Sequence, residues 1–175
     1  MKIRDMAQCA LFAALLAVCA WISVPVADIA FTMQTFAIAL TLLLLGGKKG
    51  TLAIFVYLLT GAVGLPVFSG FQGGFGTLLG ATGGYITGFL LWGLAYWLIT
   101  AALPQLPLVK LWAMITGLVL CYGFGSFWFY RIYLQQGSAI GLGFVLAKCV
   151  LPFLIPDGIK LSFAWLLARR LKRFV

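Results

Sequence analysis

Residues Pro152–Lys160 read Pro-Phe-Leu-Ile-Pro-Asp-Gly-Ile-Lys and place a carboxylate and an ammonium group three positions apart in an otherwise apolar segment. A proline at the first position of a helix loses no hydrogen bond there, so Pro156 predicts a helix start. Asp157 would then lie in the first turn, where free N–H groups favour a negative charge. Lys160 would share its face, because side chains at i and i+3 are neighbours. A charge at membrane depth costs roughly 2.5–3.5 kcal/mol, so this pair predicts a functional site.

The whole chain has the composition of an integral membrane protein. Of its 175 residues, 64% are hydrophobic and 9% are charged, whereas a soluble domain carries about 25% charged residues. It contains no His or Glu, and its acids are Asp5, Asp28 and Asp157. Few groups could therefore perform catalysis or hold a metal, and we expect no enzyme, no catalytic or metal site and no cofactor. The net charge of +9 lies mostly at the ends of apolar runs, which indicates bilayer topology rather than nucleic acid binding.

The apolar runs predict an all-α bundle of six transmembrane helices in a single domain, 1–175. A span needs about 20 predominantly apolar residues, and the predicted spans are 6–27, 29–47, 51–63, 85–103, 110–131 and 156–170. The first run follows Lys2 and Arg4 and resembles an export signal, but every later run is membrane-like too, so we interpret it as a span. The stretch 64–84 is rich in glycine and predicts an irregular external loop between helices three and four.

The cations predict the orientation, because short cytoplasmic loops carry an excess of Lys and Arg. With six spans, one side of the membrane collects most cations: Lys2, Arg4, Lys48, Lys49, Lys110, Arg169, Arg170, Lys172 and Arg173. Outside the Asp157/Lys160 turn, the opposite side has Arg131 and Lys148. We therefore predict that both termini are cytoplasmic in a multi-pass protein of the cell membrane. Asp28, the glycine-rich loop and the Asp157/Lys160 turn then lie toward the external face.

The glycine-rich loop and the charged pair together suggest a binding cavity. Irregular backbone at membrane depth is tolerated only where it is buried in protein or lines a cavity, so we interpret the loop 64–84 as a lid. Packing of the loop on the helix ends is the alternative. Asp157 and Lys160 present an acceptor beside a donor, which suits a neutral ligand group with adjacent N–H and C=O, such as a urea or amide. Mutual neutralisation with a purely structural role is the alternative for this pair.

Two further patterns are candidates for contacts. Thr32 and Gln34 place polar side chains at the start of helix two, where Thr32 could also serve as an N-cap. On helix one, small residues recur at i and i+4, and such faces let helices approach closely in lipid. They are Ala10 with Ala14 and Ala13 with Ala17. They predict either internal packing or a docking surface for another membrane subunit.

Four motifs, in this order, resemble the BioY family, the biotin-binding S component of energy-coupling factor (ECF) vitamin transporters. They are Phe31-Thr32-Met33-Gln34-Thr35, the run 58–68, Thr82-Gly83-Gly84-Tyr85 with Gly88, and Pro152–Lys160. The resemblance covers nearly the whole chain. It implies a six-helix substrate-capture subunit that imports biotin together with a transmembrane coupling protein and ATP-binding subunits.

The resemblance also assigns roles to residues. It implies that Asp157 and Lys160 contact the ureido ring of biotin, and that Gly83, Gly84 and Tyr85 form part of the pocket wall. Ala10 and Ala14 would dock on the coupling protein. Thr32 and Gln34 join the predicted substrate site through the first motif. A self-sufficient small-molecule transporter or channel, and a structural membrane protein without a ligand, are the alternative functions.

Overall fold

The chain folds into a bundle of membrane-length helices. The computed structural model describes residues 2–26, 29–137 and 141–172, so the predicted external position of Asp28 lies outside the described residues. Seven α-helices occur in the described part: α1 (Ile3–Trp21), α2 (Gln34–Ala62), α3 (Phe75–Leu79), α4 (Gly83–Ala102), α5 (Val109–Gln135), α6 (Leu142–Cys149) and α7 (Leu151–Leu171). Five helical segments of the described chain are long and apolar enough to cross a membrane: α1, α2, α4, α5 and the stretch Leu142–Leu171. The all-α membrane class is confirmed.

α2 is two antiparallel arms that reverse at Gly46. This glycine has φ 76° and ψ 174°, far from helical values. A Cβ built on Gly50 would lie only 3.1 Å from the Cα of Leu42, whereas residues eight apart in one helix are separated by about 12 Å. The arms are 34–45 and 47–62, so the second and third predicted helices are both present. With the arms counted separately, the described residues contain six long helical segments, near the predicted six.

The connection between α1 and α2 differs from the prediction. α1 ends at Trp21 and α2 begins at Gln34, so the predicted helix boundaries at positions 27 and 29 were wrong. Between them, β1 (Ser23–Val26) and β2 (Ile29–Thr32) form an antiparallel hairpin. The segment contains Pro25, and a proline disfavours helical backbone at the residue before it. Val, Ile and Thr, which suit extended backbone, fill most of the rest.

α7 begins earlier than the sequence suggested. It starts at Leu151 with Pro152 in its first turn, and Pro156 lies inside the helix. The prediction that Pro156 starts the helix was therefore wrong, because Pro152 offers the same helix-start signal four residues earlier. Asp157 lies in the second turn, where backbone N–H groups are already used within the helix. Its charge must be compensated by side chains.

The glycine-rich loop packs down onto the helix ends. It contains a 3₁₀ turn, Ser69–Phe71, and the short helix α3. Phe68 is 1% exposed, and a Cβ on Gly61 would lie 2.0 Å from its ring. The indole N–H of Trp21 donates to the carbonyl oxygen of Pro66 at 2.8 Å. The loop is thus anchored at the end of the bundle that carries the β-hairpin.

α2 is the centre of the bundle. α1, α4 and α7 each pack against α2, and α5 packs along α4. This arrangement places α2, α4, α5, α6 and α7 around one space beneath the glycine-rich loop.

Candidate functional site

A cavity of about 110 Å³ lies at the hairpin end of the bundle. Its lining combines charged, hydroxyl, amide, aromatic and aliphatic side chains from the hairpin, the loop and five helices, α2, α4, α5, α6 and α7. The lining residues are Thr32, Gln34, Thr35, Ser69, Thr82, Tyr85, Ile86, Phe89, Leu118, Cys121, Tyr122, Cys149, Phe153, Asp157 and Lys160. Linings that combine aromatic and aliphatic walls with convergent polar groups are typical of small-molecule sites.

The predicted ion pair lies in the wall of this cavity. Asp157 is 2% exposed and Lys160 is 6% exposed, and Lys160 Nζ is 2.7 Å from Asp157 Oδ1. The i, i+3 spacing on α7 brings the two groups together, as the sequence predicted. Both charges face protein and cavity rather than lipid. Because a buried charge is costly unless it is paired and hydrogen-bonded, each further hydrogen bond to the pair stabilises it.

Two hydroxyl groups stabilise the carboxylate. The Thr35 hydroxyl donates to Asp157 Oδ1 at 2.9 Å, and the Tyr122 hydroxyl donates to Asp157 Oδ2. Sequence reasoning missed both as site residues. Thr35 stood within a quoted motif without a role, and Tyr122 is a polar aromatic residue in the middle of an apolar span.

The β-hairpin supplies partners for the ammonium group. Lys160 Nζ donates to the carbonyl oxygen of Thr32 at 2.6 Å and lies 3.7 Å from the centre of the Phe31 ring. A cation over an aromatic face is attracted by the ring quadrupole. The hairpin, which the sequence did not predict, therefore positions the lysine.

The pair retains hydrogen-bonding capacity toward the cavity. A carboxylate accepts about four hydrogen bonds and an ammonium donates three. Asp157 accepts from Thr35, Tyr122 and Lys160, and Lys160 donates to Asp157 and to the Thr32 carbonyl. By this count, about one acceptor position of Asp157 and one N–H of Lys160 have no hydrogen-bond partner among the described residues. A ligand group with an N–H next to a C=O can use both.

Thr32 and Gln34 form a second polar group in the site. The Thr32 hydroxyl donates to Gln34 Oε1 at 2.9 Å, and Gln34 Nε2 donates to the Tyr57 hydroxyl at 2.9 Å. The Tyr57 hydroxyl in turn donates to the carbonyl oxygen of Val67 in the loop at 3.2 Å. Met33 is the N-cap of α2, and the Thr32 hydroxyl accepts a hydrogen bond from the backbone N–H of Gln34 at 3.3 Å. This chain of hydrogen bonds links the hairpin, both arms of α2 and the loop.

Tyr85 lines the cavity from α4. Its hydroxyl forms a 3.0 Å hydrogen bond with the Ser126 hydroxyl on α5. A Cβ on Gly125 would lie 2.2 Å from the Tyr85 ring, so the glycine makes room for this side chain. Tyr85 thus lies in the cavity wall, and its contact with a ligand stays a prediction.

Gly83 and Gly84 begin α4 beside the cavity but do not line it. A Cβ on Gly83 would lie 1.9 Å from the carbonyl oxygen of Leu78, and a Cβ on Gly84 would lie 2.3 Å from Cβ of Trp128. The glycines thus allow the loop and α5 to approach α4 closely. A direct contact with a ligand stays a prediction for both.

The two alanine pairs of α1 face different surroundings. Ala13 and Ala17 are buried in the core at 8% and 6% exposure. Ala10 and Ala14 are exposed on the outer face of α1. Internal packing therefore explains the first pair, and the second leaves a small-residue surface open to the membrane. Docking of a partner there stays a prediction.

The fold and the cavity define a class: an all-α membrane protein with a buried, charge-bearing site for a small molecule. The particular family is equally clear. The chain belongs to the BioY family, whose family model matches residues 1–175.

Individual relatives support this family membership. The chain is 39% identical over 173 residues to the biotin transporter BioY of Thermotoga maritima, covering 97% of this chain and 96% of that protein. It is 37% identical over 172 residues to a probable biotin transporter BioY of Pyrococcus horikoshii, covering 98% of each chain. The fold matches the crystal structure of the S-component for biotin from an ECF-type ABC transporter, with a TM-score of 0.85 at 24% identity, covering 99% and 93% of the two chains.

Proposed function

We propose that this chain is the biotin-binding, substrate-capture subunit of an ECF transporter and imports biotin across the cytoplasmic membrane. It is a transport protein rather than an enzyme, in keeping with relatives named biotin transporters. One observation carries the substrate assignment. The buried Asp157/Lys160 pair lines the cavity, and its contacts with Thr35, Tyr122 and Thr32 use all but about one acceptor and one donor of the pair.

The ureido ring of biotin matches this pair. Its N–H donates to a carboxylate oxygen of Asp157, and its C=O accepts from the ammonium group of Lys160. Both bonds are charge-assisted, and such bonds are roughly twice as strong as neutral ones. The adjoining ring and hydrocarbon chain of biotin are apolar, as are Ile86, Phe89 and Phe153 in the cavity wall.

Energy for import comes from partners. The structural relative is a component of an ABC transporter, and we assign to this chain the corresponding partners: a transmembrane coupling protein and ATP-binding subunits. The exposed Ala10 and Ala14 on α1 are the proposed docking face, because small residues let a partner helix approach closely.

We assign both termini to the cytoplasmic side. The Asp5–Lys49 ion pair, 2.6 Å long, joins the start of α1 to the reversal of α2. Lys110 and Arg169 also lie at this end of the bundle, around a common pocket. An excess of cations at one end favours a cytoplasmic location for that end, so the cavity opens toward the external face.

Equilibrium binding tests the substrate. The purified chain is expected to bind biotin saturably and to bind an analogue whose ureido oxygen is replaced by an imino group more weakly. Thiamine serves as a vitamin without a ureido ring. Equal affinity for biotin and the imino analogue would remove the proposed role of Lys160.

Uptake measurements test the dependence on partners. Vesicles that contain this chain alone are expected to bind biotin without accumulating it, whereas vesicles with the coupling protein, ATP-binding subunits and ATP accumulate it. Accumulation by the chain alone would support the self-sufficient transporter instead.

A further inference from the structure

An apolar groove lies between α5 and α7 and extends from Gly158, next to the cavity residue Asp157, toward the end of the bundle where α2 reverses. α5 packs along α4 and α7 packs on α2, so the two helices diverge below the hydrogen bond between Tyr122 and Asp157. The groove has a volume of about 570 Å³ and an almost wholly apolar lining: Leu43, Leu108, Leu111, Met114, Ile115, Gly158, Leu161, Ser162, Trp165 and Leu166.

The terminal end of the groove is cationic. A pocket of about 180 Å³ shares Leu43 and Trp165 with the groove, so the two lie next to each other, and its other lining residues include Lys110, Arg169 and Lys172. The two carboxylates among the described residues lie elsewhere, since Asp5 pairs with Lys49 and Asp157 with Lys160. Three cations therefore lie at one end of the apolar groove between α5 and α7.

We propose that this groove binds one anionic phospholipid, with its phosphate among the three cations and an acyl chain between α5 and α7. Basic pockets between transmembrane helices at the cytoplasmic surface suit anionic headgroups. Along α7, the stretch 158–172 covers about 21 Å, which exceeds the roughly 15 Å of one leaflet of the hydrocarbon core and leaves room for a headgroup. Assignment to the cytoplasmic leaflet rests on the proposed orientation, whereas lipid binding itself does not.

A second groove provides an internal comparison. It has a similar volume, about 540 Å³, and an apolar wall that includes Phe55 and Trp97. Its charged residues are Lys48, Lys49 and Asp5, and the pairing of Lys49 with Asp5 leaves a net charge of one. The α5–α7 groove is therefore the one expected to select anionic over zwitterionic lipid.

Native mass spectrometry of the purified full chain tests the proposal, with phosphatidylglycerol and phosphatidylcholine of identical acyl chains as probes. The wild type is expected to retain one phosphatidylglycerol in preference to phosphatidylcholine. Lys110→Ala/Arg169→Ala/Lys172→Ala should lose this preference, by about fivefold per cation and on the order of 100-fold in total. The control Arg131→Ala/Lys148→Ala/Arg170→Ala removes the same charge from exposed positions outside the groove and should keep the preference.

The apolar part of the groove is tested separately. Ser162 lines the groove and is exposed, so Ser162→Trp should block the acyl chain with every cation retained, whereas Ser162→Ala should bind lipid normally. Unchanged biotin affinity in each variant verifies the fold. A wild type without lipid preference, or equal losses in the triple variant and its control, would overturn the proposal. Unchanged lipid binding in the triple variant with failed transporter assembly would assign the cations to a protein partner instead.

Discussion

Removal of the Lys160 charge alone, and of both buried charges together, distinguishes a ligand-binding pair from a structural one. Lys160→Met keeps the apolar stem and deletes the ammonium group, leaving Asp157 buried at 2% exposure. Breaking a buried ion pair by removing one partner costs about 3–5 kcal/mol. Because the hydroxyls of Thr35 and Tyr122 still donate to Asp157, we expect a loss near the lower end of this range.

The double variant Asp157→Asn/Lys160→Met should behave differently. No uncompensated charge remains, and replacement of both members of a buried pair is often neutral or stabilising. We therefore expect its stability to return to within about 1–2 kcal/mol of the wild type. Biotin affinity should not return, because the ureido group has lost two charge-assisted hydrogen bonds. Each contributes about 1.5–3 kcal/mol, which corresponds to about 10- to 150-fold in affinity.

The assay combines two measurements on each purified variant: thermal unfolding without biotin, and equilibrium binding of radiolabelled biotin. Lys48→Met is the matched control, because Lys48 is exposed and lies outside the cavity; it should change neither quantity. A double variant with wild-type stability and wild-type biotin affinity would refute the argument, since the pair would then have only a structural role.

Three further predictions address other parts of the structure. Tyr122→Phe removes the donor to Asp157 Oδ2 and should weaken biotin binding by about tenfold, with a stability loss of roughly 1–2 kcal/mol; unchanged binding would show that the hydroxyl does not shape the site. Gly84→Ala places a methyl group 2.3 Å from a side-chain atom of α5 and should cost about 1–3 kcal/mol in thermal unfolding, whereas Gly123→Ala, with nothing within 4 Å, should be neutral or stabilising. Ala14→Leu enlarges an exposed position of α1 and should leave biotin binding intact while preventing co-purification with the coupling protein; normal assembly would contradict the docking face.

The sequence alone determined those features that depend on local composition and spacing. Apolar runs predict the membrane class and the approximate number of helical segments, because each span needs enough consecutive apolar residues to cross the hydrocarbon core. The closeness of Asp157 and Lys160 follows from their i, i+3 spacing, which brings two side chains together on any helix. The predicted contact is therefore present even though the helix starts at Leu151 rather than at the predicted Pro156.

Only the tertiary structure decided which groups complete the site. Thr35 and Tyr122 are 122 and 35 residues away from Asp157 in the chain, and neither composition nor periodicity indicates that they meet the carboxylate. The hairpin that carries the Thr32 carbonyl to Lys160 likewise forms where a helix was expected. A buried charge is stabilised by whichever polar groups the packing brings within hydrogen-bond distance, and such long-range contacts are set by how the helices fold together rather than by any one stretch of sequence.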